Sequence, residues 1–218
     1  MKAISVTNLS AFADNQIAAL TATQIGALST QQVNGLNETN IAAFTETQAA
    51  ALTTTQIAGL SATAAGAFGA SQIAAMSTTQ VRAFSAAQLS ALDTADMAEF
   101  TETQVGSLLT TQIQALSTTN LAALADTQIA ALSAGQIAAM TTTQIAGLEE
   151  SDIAEFAATQ IAGMTTSQVQ AISATNLAAF ADTQVAAMTT TQLGVITATK
   201  LSGLNETQVS AMTTTQLA

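Results

Sequence analysis

The chain has 218 residues, 49% of them hydrophobic, with no Pro, Cys, Trp, Tyr or His and only 8% charged. Three cations (Lys2, Arg82, Lys200) against fourteen carboxylates leave a net charge of −11, which excludes a phosphate-backbone partner such as nucleic acid. Without His or Cys the chain lacks the usual general base, thiol nucleophile and soft metal ligands, and no disulfide can form.

Met1–Leu20 carries one Lys but is interrupted by Ser, Thr, Asn and Asp, unlike a secretory signal peptide. No apolar run approaches the ~20 residues of a membrane span, so no membrane insertion is expected. From Ser5 the sequence divides into 26 consecutive octads without a gap, and Thr213–Ala218 begins a further one. Residues 1–218 are therefore expected to form a single repeat domain. Thr53–Leu60 (TTTQIAGL) is typical. Position 8 is Leu, Met, Phe or Ile in all 26 octads, and all seven Phe fall there. Position 5 is Ile, Val, Leu or Met in 24, with Ala49 and Ala65 as exceptions. Position 4 is Gln in 18 and Asn in four; Ala64, Asp96, Asp152 and Lys200 are the outliers.

A longer period overlies the octad. Asp93–Phe100 (DTADMAEF) recurs 56 residues later as Glu149–Phe156 (EESDIAEF). Ser5–Phe12, degenerate Ser61–Phe68, Ser117–Leu124 and Ser173–Phe180 share another register of 56. Two explanations stand: duplication of seven-octad blocks, or seven octads completing one superhelical turn. The second would put Phe12, Phe68, Leu124 and Phe180 in equivalent stacked places.

A continuous α-helix does not suit the octad. Eight residues at ~100° each rotate the apolar stripe by ~80° per repeat, smearing it over every face. A β-solenoid ranks second: Ala at positions 6 and 7 is a poor strand former, and nine of the eleven Gly lie there rather than at a fixed corner. Short helices fit best. Position 1 is Ser, Thr, Asn or Asp in 19 octads, and Gln three residues later completes a capping box. Where Ala13, Ala125 and Ala181 take position 1, Asp14, Asp126 and Asp182 follow as expected substitute caps. Positions 5 and 8 share one helical face and should be buried, with positions 1–3 exposed. The fold class predicted is all-α: a solenoid of very short helices, one per octad, stabilised by stacking because helices this short are marginal alone.

The tandem pattern in Ser77–Phe84 (STTQVRAF) resembles octad stretches of large bacterial secreted or surface proteins of adhesin-like type, and the resemblance runs from Ser5 to Ala218. It implies a structural region of an exported protein, extracellular or at the cell surface. Leu52–Ile57 (LTTTQI) is also similar to the helix openings of other α-solenoids, TAL effectors among them, whose longer units and basic loops are absent here.

Candidate sites are few. Asp93, Asp96, Glu99 and Glu102 gather in one stretch, and Glu149, Glu150, Asp152 and Glu155 in another. If seven octads make one turn, these clusters stack and invite a hard cation such as Ca²⁺; the alternative is a solvated acidic edge near helix N-termini. No calcium-binding motif accompanies them, so no metal or cofactor is expected. The Thr at positions 1–3 offer either a regular surface for ice or glycan or ordinary helix caps. No catalytic residue is predicted and the chain is not expected to be an enzyme, because near-identical units lack a singular constellation. The expected function is a non-catalytic spacer, stalk or scaffold of an exported surface protein, with self-association through repeat stacking and no small-molecule substrate. A Thr-surface binding module or a cation-stabilised adhesin segment is the alternative.

Overall fold

The computed structural model describes residues 4–218, and among these it contains 26 short α-helices and no strand. Each octad supplies one helix of four to six residues, from Val6–Ser10 to Glu206–Ser210. The octad Thr53–Leu60 shows why a helix starts and stops so quickly. Thr53 is extended (φ −76°, ψ 156°), and its hydroxyl accepts the Gln56 N–H at 3.2 Å. Gln56 answers through Oε1, which accepts the Thr53 N–H at 2.7 Å. This reciprocal box satisfies two of the N–H groups that a helix start leaves orphaned. At the other end Leu60 N–H donates back to the Ile57 carbonyl at 3.1 Å, the tighter last turn that closes a helix. The chain then extends into the next cap. None of the described residues has a positive φ, so the corners do not depend on left-handed glycine.

All 26 helices take position 1 as N-cap, including Ala13, Ala125 and Ala181. The expected substitution by the following Asp is not what happens. Asp14, Asp126 and Asp182 are first helical residues, and the Ala caps make no side-chain bond. The Gln half of the box suffices to hold the register: Gln16, Gln128 and Gln184 accept the Ala13, Ala125 and Ala181 N–H groups.

The chain forms two compact units, one ending at Leu116 and the other spanning Ser117–Ala218. Within each, a helix packs on those three octads before and after it. Thr54–Ala58 lies against Thr30–Asn34 and Thr78–Val81 in the first unit; Ala158–Gly163 lies against Ala134–Ala139 in the second. Hydrogen bonds from position 4 reach carbonyls 28 to 31 residues back, in the octad four before. One turn therefore takes about 28 residues, or three and a half octads. The 56-residue period spans two turns rather than the single turn expected. The half-octad offset explains it: after one turn a helix start lies over a helix end, and only after two turns does like lie over like.

The core is made by positions 5 and 8. Ile25, Ile57, Leu89, Ile129 and Ile161 are wholly buried, and Leu28, Leu60, Phe84 and Met140 nearly so. Phe68 and Phe84 meet edge to face, ring centroids 6.2 Å apart. Small residues at positions 6 and 7 let turns approach. A Cβ on Gly59 would fall 2.2 Å from the Thr30 methyl, and one on Gly66 would fall 2.6 Å from the Ala91 carbonyl oxygen.

Candidate functional site

Position 4 carries the chemistry of this repeat, and it is buried. Gln56 uses both ends of its amide: Oε1 caps its own helix, while Nε2 donates to the Ile25 carbonyl at 3.0 Å and the Leu28 carbonyl at 2.8 Å. Gln88 does the same toward Ile57 and Leu60, and Gln168 toward Ile137 and Met140. The Leu28, Leu60 and Met140 carbonyls lie just past a helix end, while those of Ile25, Ile57 and Ile137 also accept the N–H that closes the last turn. One side chain thus starts its own helix and finishes another from the previous turn.

The residues that replace Gln at position 4 show what that place demands. Asn40 is shorter, yet its Oδ1 takes the Asn37 N–H at 3.4 Å and its Nδ2 donates to the Phe12 carbonyl at 3.1 Å. Asn176 donates to the Leu148 carbonyl at 2.9 Å. Lys200 reaches the Gln170 and Ile172 carbonyls with Nζ, both at 2.6 Å. Each is a donor aimed one turn back.

Ala64, also buried, has no side-chain donor, and Asp96 and Asp152 break that rule with a carboxylate. They are 4% and 5% exposed, and each accepts its own cap amide: Asp93 N–H to Asp96 at 3.3 Å, Glu149 N–H to Asp152 at 2.8 Å. Burial pushes the Asp96 carboxyl up to about 6; the Asp93 N–H opposes this and the Asp93 charge adds to it. Burial also raises Asp152, opposed by the Glu149 N–H and aided by the charges of Glu149 and Asp126.

The rest of each acidic stretch behaves differently. Asp93 is a cap whose Oδ1 accepts the Asp96 N–H at 2.9 Å, and it is exposed, as are Glu99 and Glu102. Glu149, Glu150 and Glu155 are exposed as well. Among the described residues no three acidic side chains gather as a group able to hold a metal ion. The premise for stacked clusters, one turn per seven octads, does not hold within either unit. The Thr and Ser at position 1 are caps: Thr21, Thr101 and Thr189 each accept the N–H three residues on. Positions 2 and 3 lie mostly at the surface, as expected.

The sequence pattern marks position 4 as a capping partner but not as a buried joint. Its one visible sign is the near-invariance of Gln where an exposed capping residue would vary freely.

Residues 66–102 and 105–142 match the ALTTAQ repeat family. This is a tandem-repeat protein. None of the curated proteins matches the chain. No helix among the described residues is long and apolar enough to cross a membrane.

Proposed function

We propose that the chain is a non-catalytic structural segment, a spacer or stalk of an exported bacterial surface protein. The observation that carries this reading is the uniform joint. Gln48, Gln80, Gln104, Gln168 and Gln192 are all buried at position 4 and donate to carbonyls one turn back, so within each unit the same polar group is spent on holding turns together. A catalytic site needs one constellation unlike its surroundings; here the most numerous buried polar side chains are committed to structure. Hydroxyls at position 1 are committed likewise to capping, which favours the spacer over an ice- or glycan-binding array. Export and surface exposure rest on the resemblance of the octads to secreted repeat regions. Self-association of copies by stacking of repeats belongs to the same reading, since each turn offers its neighbour the same set of donors and acceptors.

Two measurements test it. Antibody raised against the chain should label intact cells of the source organism, and labelling only after lysis would remove the surface role. Removing one 56-residue period from the full-length protein should shorten the reach of whatever it carries and leave that activity intact. Loss of a turnover or binding activity on removing any such block would place the function in the repeat itself. Sedimentation across a concentration series tests self-association, and a monomer throughout would remove it.

A further inference from the structure

We infer that Asp96 and Asp152 are proton-locked joints, each completing its link to the previous turn only when its carboxyl is protonated. Asn40 is the template. Asn and Asp have the same shape, and Asn40 accepts its cap amide with one branch while the other donates 28 residues back to the Phe12 carbonyl. Asp96 accepts its cap amide in the same way, and 28 residues before it stands Phe68. Asp152 is matched by Asn176, whose donor reaches Leu148; 28 residues before Asp152 stands Leu124. An ionised carboxylate only accepts, so at this place it sets an oxygen where Gln56, Asn40, Asn176 and Lys200 set a donor. Taking one proton from solvent turns that oxygen into an O–H, which donates to the Phe68 or Leu124 carbonyl.

The surroundings favour the neutral form. Asp93 is the acidic group facing Asp96, on its own helix start, and the packed helix Ala70–Ala74 brings no titratable group. Asp152 is faced by Glu149 on its own helix and by Asp126 from Asp126–Ala130, while the packed helix Ala174–Ala178 brings none. No cation among these groups stabilises the charged state. The upward displacement of both carboxyls agrees with this. A group whose folded pKa is raised binds its proton more tightly in the folded state. Its stabilisation is complete below the unfolded value of 3.8 and is lost as pH rises through about 6 for Asp96.

The test compares melting temperatures of the full chain from about pH 4.5 to about pH 7.5 with those of D96N/D152N and of E38Q/E46Q, which removes two exposed charges. The wild-type chain and E38Q/E46Q should both gain stability on acidification. D96N/D152N should be more stable than wild type at neutral pH and gain less in acid. Carboxyl-carbon NMR of the wild-type chain should place the Asp96 midpoint near 6 and so reads the lock even where a variant folds poorly. An ordinary midpoint of ~4, or an unchanged pH dependence in D96N/D152N, overturns the inference. So does a rise in melting temperature with millimolar Ca²⁺ at neutral pH that D96N/D152N abolishes, because a bound cation would then be the missing partner.

Discussion

The Gln56 side-chain amide donates to the main-chain oxygens of Ile25 and Leu28, residues 31 and 28 places earlier in the chain. That one side chain couples the start of one helix to the end of another, and the coupling is what converts a row of unstable single turns into a solenoid. Gln56→Glu keeps the acceptor for the Thr53 amide but removes both donors and buries a carboxylate. It should cost about 2–4 kcal/mol at neutral pH, since buried carbonyls lose their partners and a charge is desolvated. Denaturant unfolding gives the loss. Amide exchange should rise first in Ala22–Gly26 and Thr54–Ala58, the two helices joined by this side chain.

Lys200 tests whether the donor or its charge matters. Lys200→Gln restores the common residue of this position and should leave stability nearly unchanged. Lys200→Met keeps length without a donor and should cost about 1–2 kcal/mol, because the Gln170 and Ile172 carbonyls lose their partner. Equal losses in the two variants would mean that the ammonium charge, rather than the donor, holds this joint.

The caps yield a prediction of opposite sign. Thr53→Ala removes the hydroxyl that accepts the Gln56 N–H and should cost ~1 kcal/mol. Ala125 is extended (φ −71°, ψ 157°) with no side-chain cap, so Ala125→Ser supplies the missing acceptor and should add about 0.5–1 kcal/mol. Thermal melts of the two single variants, moving in opposite directions, check both.

Two glycines separate close approach from chain entropy. Gly66→Ala drives a methyl to 2.6 Å from the Ala91 carbonyl oxygen, a backbone atom that cannot swing away, and should destabilise by about 1–3 kcal/mol. Gly194 has nothing within 4 Å of a built Cβ and ends the helix Thr190–Gly194. Gly194→Ala should therefore stabilise by ~0.5–1 kcal/mol through reduced freedom of the unfolded chain. A loss in both variants would show a general intolerance of added side-chain bulk at these position-6 glycines.

Local rules acting within eight residues made much of this protein legible from its sequence. A hydroxyl at position 1 with Gln three residues on demands a helix start, and Ile57 with Leu60 demands a buried face; neither needs knowledge of the rest of the chain. Asp96 and Asp152 are visible as outliers too, though each sits in its own acidic cluster, which reads either as a cation site or as a solvated edge. Tertiary structure alone divided these clusters, turning Asp96 inward while Glu99 and Glu102 stay at the surface. It also decided the 28-residue turn, because the partners of Gln56 lie four octads back and no rule of local spacing names them. The turn is set where long-range contacts are made: Gly59 against Thr30, Phe68 against Phe84, Gln56 on Leu28. The octad specifies each helix; the fit between turns fixes how many helices close a circuit and which polar groups end up inside it.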